Sequence, residues 1–271
     1  MASARLTRRA ILAGGGAFAL GGTLHAAEGP GADLIIADYG LPFVAAELAG
    51  RAVVALIDSG GSRGVQVSET LARELGLSLS ATAETTRRLD GSIRPVMAGT
   101  AESFTLAGSR FAPQTVAVAG DDIEAIAKQV GFAFDVILGW PFLGARPFAI
   151  DYPGRRFQSG ALPAAGDLLL KLLAARAPVT EGTVAGTNAR LLVDTGAPMC
   201  NLDASLAGGA AIGTIVTRPL VLAGRGLEAA FRVRDLAPIR QGLGATAVIG
   251  HNVLKAYRFS FDPSDGAIRL G

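Results

Sequence analysis

The 271-residue sequence predicts an all-β protein made of two related lobes with a few short helices, and three observations carry that expectation. Short apolar and β-branched runs at residues 51–57, 103–106, 114–119, 135–138, 191–193 and 257–261 alternate with clusters of Gly, Pro, Asp and Ser, the spacing of strands in a mostly antiparallel protein. Helical periodicity is confined to two places. Residues 68–75 put Leu71 and Leu75 on one face behind Ser68, a good N-cap, and residues 122–130 follow Asp121-Asp122, a helix start. The third observation is an internal repeat.

Leu48-Ala49-Gly50, then an apolar run, then Asp58-Ser59-Gly60 is matched by Val184-Ala185-Gly186, a second run, and Asp194-Thr195-Gly196. In both copies the turn glycine lies eight residues before the aspartate. Further on, Val136-Ile137-Leu138-Gly139 returns as Ala247-Val248-Ile249-Gly250. From each of those glycines an apolar pair follows (Phe142 and Leu143; Val253 and Leu254), then a phenylalanine (Phe148; Phe259), then an aspartate (Asp151; Asp262).

The repeat divides the chain. Residues 1–27 read as an export leader, 28–45 as an N-terminal segment, 46–158 as the first lobe, 159–166 as a small-residue linker and 167–271 as the second lobe. The lobes are unequal, with 81 residues from Asp58 to Gly139 but 56 from Asp194 to Gly250. The extra helix predicted within residues 120–135 is the expected place for most of that surplus. In the leader, Arg8-Arg9 precedes a mild apolar run and the small residues Ala26-Ala27, the pattern of a twin-arginine signal. The expected destination is therefore the periplasm or the exterior, and that run is too short for a stable membrane span.

Composition removes several kinds of chemistry. Without the leader's three arginines, 22 basic residues face 23 acidic ones, and no basic stripe is left to bind nucleic acid. Beyond residue 27 the chain has one histidine, His251, and one cysteine, Cys200. One chain can then build neither a His/Cys zinc site nor an internal disulfide. Cys200, after Pro198-Met199, reads as a small buried apolar residue. What remains for catalysis is carboxylates and hydroxyls.

Residues 55–64, Ala-Leu-Ile-Asp-Ser-Gly-Gly-Ser-Arg-Gly, admit two frames. Gly60-Gly61-Ser62-Arg63-Gly64 fits the Gly-x-Ser-x-Gly elbow of a serine hydrolase, with His251 as the base. An elbow needs a helix directly after the serine, whereas Val65-Gln66-Val67 is extended in character. The other frame makes Asp58 the functional residue, and the repeat supports it through Asp194. Two carboxylates within a few ångströms cannot both ionise, so they share a proton and offer a general acid and a general base together, with no metal or organic cofactor. Asp151 and Asp262 also match each other, but each precedes turn residues and reads as a turn cap.

With the Asp-Ser/Thr-Gly triplets, the Leu138-Gly139 and Ile249-Gly250 elements and the closing strands around Phe148 and Phe259, the chain resembles the aspartic peptidase superfamily, specifically bacterial retropepsin-like proteins with two lobes in one chain. The resemblance implies an acid-protease-like fold of tandem pseudo-twofold β-barrel lobes. It implies an aspartic endopeptidase, acting as a monomer on an extended peptide or protein, with Asp58 and Asp194 as the catalytic pair. Gly60 and Gly196 would allow the loops to turn tightly, Ser59 and Thr195 would bond across the lobes, and Gly139 and Gly250 would brace the loops. It also implies a flap near residues 87–96, turning at Asp90-Gly91, and a second near Gly224-Arg225-Gly226. A relative of the same fold that only binds peptides is the alternative. Two departures stand out: Gly61 occupies a place where Ala, Ser or Thr is expected, and no tyrosine falls between Asp58 and Gly139.

Overall fold

The computed structural model describes residues 31–87, 92–119, 122–160 and 166–271. In the first half the elements are β1 (Gly31–Ile36), β2 (Pro42–Leu48), β3 (Arg51–Ile57), β4 (Val65–Val67), α1 (Glu69–Glu74), β5 (Ser80–Arg87), β6 (Ile93–Ala101), β7 (Phe104–Leu106), β8 (Ser109–Phe111), β9 (Gln114–Val118), α2 (Asp122–Val130), β10 (Val136–Leu138), α3 (Trp140–Leu143), β11 (Phe148–Asp151) and β12 (Arg156–Ser159). The second half has β13 (Leu168–Lys171), β14 (Val179–Val184), β15 (Thr187–Val193), β16 (Cys200–Asp203), a 3₁₀ turn (Ala204–Leu206), β17 (Ile215–Leu222), β18 (Arg225–Arg234), α4 (Ala237–Leu243), β19 (Ala247–Ile249), α5 (His251–Leu254), β20 (Arg258–Asp262) and β21 (Ala267–Leu270). The protein is all-β, as its sequence predicts. The leader and the linker residues 161–165 lie outside the described residues. No helix among the described residues is long and apolar enough to cross a membrane.

Strands β14, β15, β19, β16, β18 and β17 close a barrel. The first half repeats the same pairings around β2, β3, β10, β4, β9 and β6, with β7 returning to β2. Most pairs are antiparallel, but β3 with β10, β4 with β9, β15 with β19 and β16 with β18 are parallel. The parallel pairs matter because they run two apolar strands side by side toward each aspartate. Four two-residue Ala-Gly turns (49-50, 107-108, 185-186 and 223-224) hold both residues at positive φ, the backbone whose twist matches a tight hairpin.

A six-stranded sheet, β13-β21-β20-β11-β12-β1, draws strands from both lobes and lies beneath them. At its centre β11 and β20 pair antiparallel, with Phe148 opposite Phe261 and Ile150 opposite Phe259. Repeat-equivalent residues thus meet across a twofold relation. Trp140 is buried against Phe148 and Phe261 and donates its Nε1–H to the Ala175 carbonyl 2.7 Å away, just before β14. Its repeat equivalent, His251, lies against Gly40, just before β2, where a Cβ would come within 2.1 Å of the ring. Asp151 and Asp262 accept the N–H groups of Gly154 and Ser264 and cap their turns.

The register corrects two expectations. Gln66 and Asn201 hold equivalent places, as do Ala117 and Arg232; 51 residues separate the first pair in lobe one and 31 in lobe two. Most of the surplus therefore lies between β4 and β9, in α1 and the paired strands β5 and β6, and not at residues 120–135. The turn at Gly224 matches the one at Gly108, because β17 lies on β14 as β7 lies on β2. It is no second flap. Helices α3, α4 and α5 had no sequence signal: two are single turns, and α4 holds its apolar residues in only two turns.

In the second lobe, α4 covers an outer apolar layer of Val179, Leu192, Val248, Ile239 and Leu243. Asp203, buried at the end of β16, ties it there by accepting the Leu236 N–H (3.1 Å), the Ser205 N–H (3.0 Å) and Arg240 Nη1 (2.7 Å). Burial raises its pKa, but the bonds from Ser205 and Leu236 and the charge of Arg240 outweigh that and hold the carboxyl below its ordinary value. A depressed folded pKa is stability present above the unfolded value and lost as pH falls through the folded one. Asp203→Asn is therefore expected to cost about 1–3 kcal/mol at pH 7 and progressively less below pH about 4, measured by urea unfolding at both pH values.

Candidate active site

Each aspartate is delivered by the same local device. Strands β3 and β15 end at Asp58 and Asp194, and the backbone N–H of each aspartate donates to the last carbonyl of the parallel neighbour, Leu138 and Ile249, at 2.9 Å. Two residues on, Gly60 N–H donates to Asp58 Oδ1 (3.0 Å) and Gly196 N–H to Asp194 Oδ1 (2.8 Å), which turns each carboxyl inward. The bracing glycines follow from steric contact. A Cβ on Gly139 would sit 2.0 Å from the Arg63 carbonyl, and one on Gly250 would sit 2.6 Å from that of Ala197. These are backbone atoms of the aspartate loops, so only glycine lets the strand ends come this close.

The two loops then lock to one another. Ser59 N–H donates to Thr195 Oγ1 (2.9 Å) and Thr195 N–H to Ser59 Oγ (3.0 Å). Each hydroxyl donates in turn to the carbonyl before the opposite aspartate, Ser59 Oγ to Val193 and Thr195 Oγ1 to Ile57, both at 2.7 Å. Both side chains are fully buried. Four hydrogen bonds thus engage the N–H and the hydroxyl of both residues in a low-dielectric spot, where an unmade bond is costly.

Gly60 and Gly196 also serve a purpose that the sequence did not reveal. Neither has a left-handed φ; a Cβ on Gly60 would lie 2.4 Å from Asp194 Cγ, and one on Gly196 2.4 Å from Asp58 Oδ1. Their need for glycine comes from the opposite lobe's carboxyl. Gly61 stands as Ala197 does, donating to its own loop's aspartate carbonyl (3.0 Å) and accepting the Trp140 N–H (2.8 Å), while Ala197 accepts from His251. The missing methyl does not free the loop.

With the loops locked, the carboxyl of each aspartate lies against the glycine of the opposite loop, close enough to the other carboxyl for the two to couple. Burial and then the charge of Asp194 hold Asp58 well above the usual carboxylate range, against the pull of the Gly60 and Gly61 N–H groups. Burial raises Asp194 too, opposed by Asp58 and by the N–H groups of Gly196, Gly60 and Ala197. The pair therefore holds a proton to higher pH than two separate carboxyls would. Tyr152 is buried close enough for burial and then the charge of Asp194 to push its hydroxyl up.

A cavity of about 380 Å³ opens beside Asp58 and is lined also by Arg63, Gln66, Asp122, Ile126 and Ile137. Sequence reasoning passed over these residues. Their one visible signal was the spacing from aspartate to the next strand, which is a residue longer after Asp58 than after Asp194. A larger cavity, about 620 Å³, opens on the second barrel among Glu181, Asn188, Arg190 and Gly224 and shares no residue with the pair. Asp90 and Gly91 lie outside the described residues, between strands β5 and β6, which pair antiparallel.

Ser62 lines the cavity beside Asp58, but strand β4 follows it where an elbow requires a helix. His251 is set against Gly40 and Tyr152, its ring centroid 5.3 Å from the tyrosine's, and burial and then Lys255 lower its pKa. Neither partner in the serine reading has the surroundings it needs. Cys200 is buried, accepts the Gly250 N–H at 3.3 Å, and has its thiol pushed up to about 12, chiefly by burial. Among the described residues no three His, Cys, Asp or Glu side chains cluster in a way that could hold a metal ion.

The interlocked hydroxyls generate a stability prediction. Thr195→Val keeps the shape but leaves the Ile57 carbonyl and the Ser59 N–H unpaired, and is expected to cost about 2–4 kcal/mol. Thr195→Ser keeps both bonds and is expected to cost about 1 kcal/mol for the lost methyl, the two being compared by urea midpoints.

Comparison with known proteins follows from this geometry. No curated protein matches the chain. Residues 44–142, which contain β3, the Asp58 loop, β10 and Gly139, match the model of a family described as aspartyl protease. The match spans most of the first lobe and supports a place for the chain among aspartic peptidases.

Proposed function

We propose that the protein is an exported aspartic endopeptidase, active as a monomer, in which Asp58 and Asp194 activate a water molecule between them. The observation that carries this reading is the approach of two buried carboxyls, supplied by interlocked equivalent loops and each packed against the other loop's glycine. One carboxylate of the pair takes a proton from the water, while the other holds the shared proton and polarises the scissile carbonyl. The tetrahedral adduct collapses when a proton passes to the leaving nitrogen. No bound metal or organic group enters the scheme. The substrate lies extended between the lobes, against β5 and β6. Export rests on the twin-arginine pattern of the leader, and the monomer on both half-sites sharing one chain.

Cleavage of a denatured protein mixture tests the activity. Asp58→Asn and Asp194→Asn are each expected to lower it by roughly a thousandfold with the fold retained by circular dichroism. A wild type that binds peptides without cleaving them, or variants as active as wild type, would replace the proposal with a binding module.

The shared proton also sets two pH dependences. Activity needs the singly protonated pair, so kcat/KM should be bell-shaped, falling on the alkaline side as the pair loses its shared proton and on the acid side as it gains a second. For stability the sign is that of a raised folded pKa: the contribution is present below the unfolded value near 3.8 and lost as pH rises through the folded one. Asp58→Asn removes that loss. Its melting temperature should therefore exceed that of wild type at pH 8 and approach it at pH 4, as read by thermal melts at both pH values.

A further inference from the structure

We propose that Arg63 is a positioning residue that ties the β5–β6 pair to the Asp58 loop and so fixes how that pair stands over the cleft. The inference rests on the endopeptidase reading for its kinetic consequence, though not for the contact itself.

Two independent irregularities converge on this contact. The first is the extra residue in the Asp58 loop: from Asp58 to Gln66 is eight residues, and from Asp194 to the equivalent Asn201 is seven. That longer loop carries Arg63, where the second lobe has Met199 ahead of Cys200. The second is a bulge in β5. Between the paired positions Ala81 with Met97 and Thr85 with Pro95, the three residues Thr82, Ala83 and Glu84 stand opposite the single Val96. Bulges near active sites re-aim a side chain, and this one sends Glu84 to Arg63, with Nη2 and Oε1 2.6 Å apart.

Arg63 also approaches Asp122, at the start of α2, with Nη1 3.8 Å from Oδ2; Gln66 Nε2 reaches the same oxygen at 3.4 Å. One guanidinium thus joins the aspartate loop, the paired strands and the helix around the cavity beside Asp58. It is the most enclosed of the three charged groups, with 19% of its side chain exposed against 53% for Glu84 and 37% for Asp122. The second lobe has neither such a cation nor a counterpart of β5, so the tie accompanies the strand it positions. No tyrosine lies in this part of the chain to hold the strands in another way.

Glu84→Gln, Arg63→Met and the double variant test the tie by two readouts. Amide exchange in residues 80–87 and 93–101 is expected to quicken about three- to fivefold in Glu84→Gln, with exchange in 215–234 unchanged, because partly exposed ion pairs are worth no more. KM for a peptide substrate is expected to rise by a similar factor while kcat changes less than twofold. The double variant should be no worse than the worse single one, since both remove the same contact. Unchanged exchange in Glu84→Gln, or additive effects in the double variant, would overturn the tie. A wild type without proteolytic activity would instead sink the endopeptidase reading and leave exchange to decide the contact. If Arg63→Met does not fold, Glu84→Gln, at an exposed site, still decides by exchange.

Discussion

Everything at the centre of this molecule depends on four hydrogen bonds exchanged between Ser59 and Thr195 and the backbone around them. Two buried carboxyls brought this close repel as soon as both ionise, and each is short of water. A flexible pair would separate. The loops are prevented from separating because the backbone N–H and the hydroxyl of both residues are committed to the opposite loop, in a place closed to solvent. Pulling them apart would strand buried donors and acceptors one after another, so the grip resists as a unit. The six-stranded sheet beneath supplies what hydrogen bonds lack, a wide apolar foundation in which Phe148 meets Phe261 and Ile150 meets Phe259.

Glycine is the other half of the same constraint. Four glycines surround the pair, and none is there for a left-handed backbone. Gly139 and Gly250 let the neighbouring strand ends touch the aspartate loops, while Gly60 and Gly196 leave room for the carboxyl from across the interface. The Asp-Ser/Thr-Gly triplet can therefore be understood as three parts of one contact: the acid, the residue that grips the other loop, and the space that the other acid fills. A single triplet has no partner to give those parts meaning, which is why the repeat and not the motif identified the site.

How much could be read beforehand follows from how local each signal is. Strand β3, α2 and the N-cap of α1 were legible because their cues lie within a few residues: an apolar run to Asp58, a periodic helix from Asp122, a serine oxygen accepting Leu71 N–H. The aspartate pairing was legible because duplication writes a long-range contact into the chain as similarity. The β5–β6 surplus and the true place of the Gly224 turn were not, since they depend on which strand lies beside which. Gly224-Arg225-Gly226 looks like a hairpin tip and is one, but β17 lies on β14, so the tip sits by the larger cavity. Arg63 was hidden for a similar reason, as an exposed-looking residue in a glycine-rich loop whose partner is 21 positions away.

Joining two half-sites in one chain removes the requirement that they be identical, and the structure has used that freedom on one side only. Around Asp58 stand an additional loop residue, a cavity, a longer helix and a pair of strands; around Asp194 stand a shorter loop and a buried thiol. A symmetric pair would hold a proton on either side with equal ease. Here each carboxyl accepts one N–H of its own loop, but the cavity and the β5–β6 pair stand on the Asp58 side alone. Two chemically identical side chains thus sit in unequal surroundings, and unequal surroundings are what lets one proton be held unequally in the proposed mechanism.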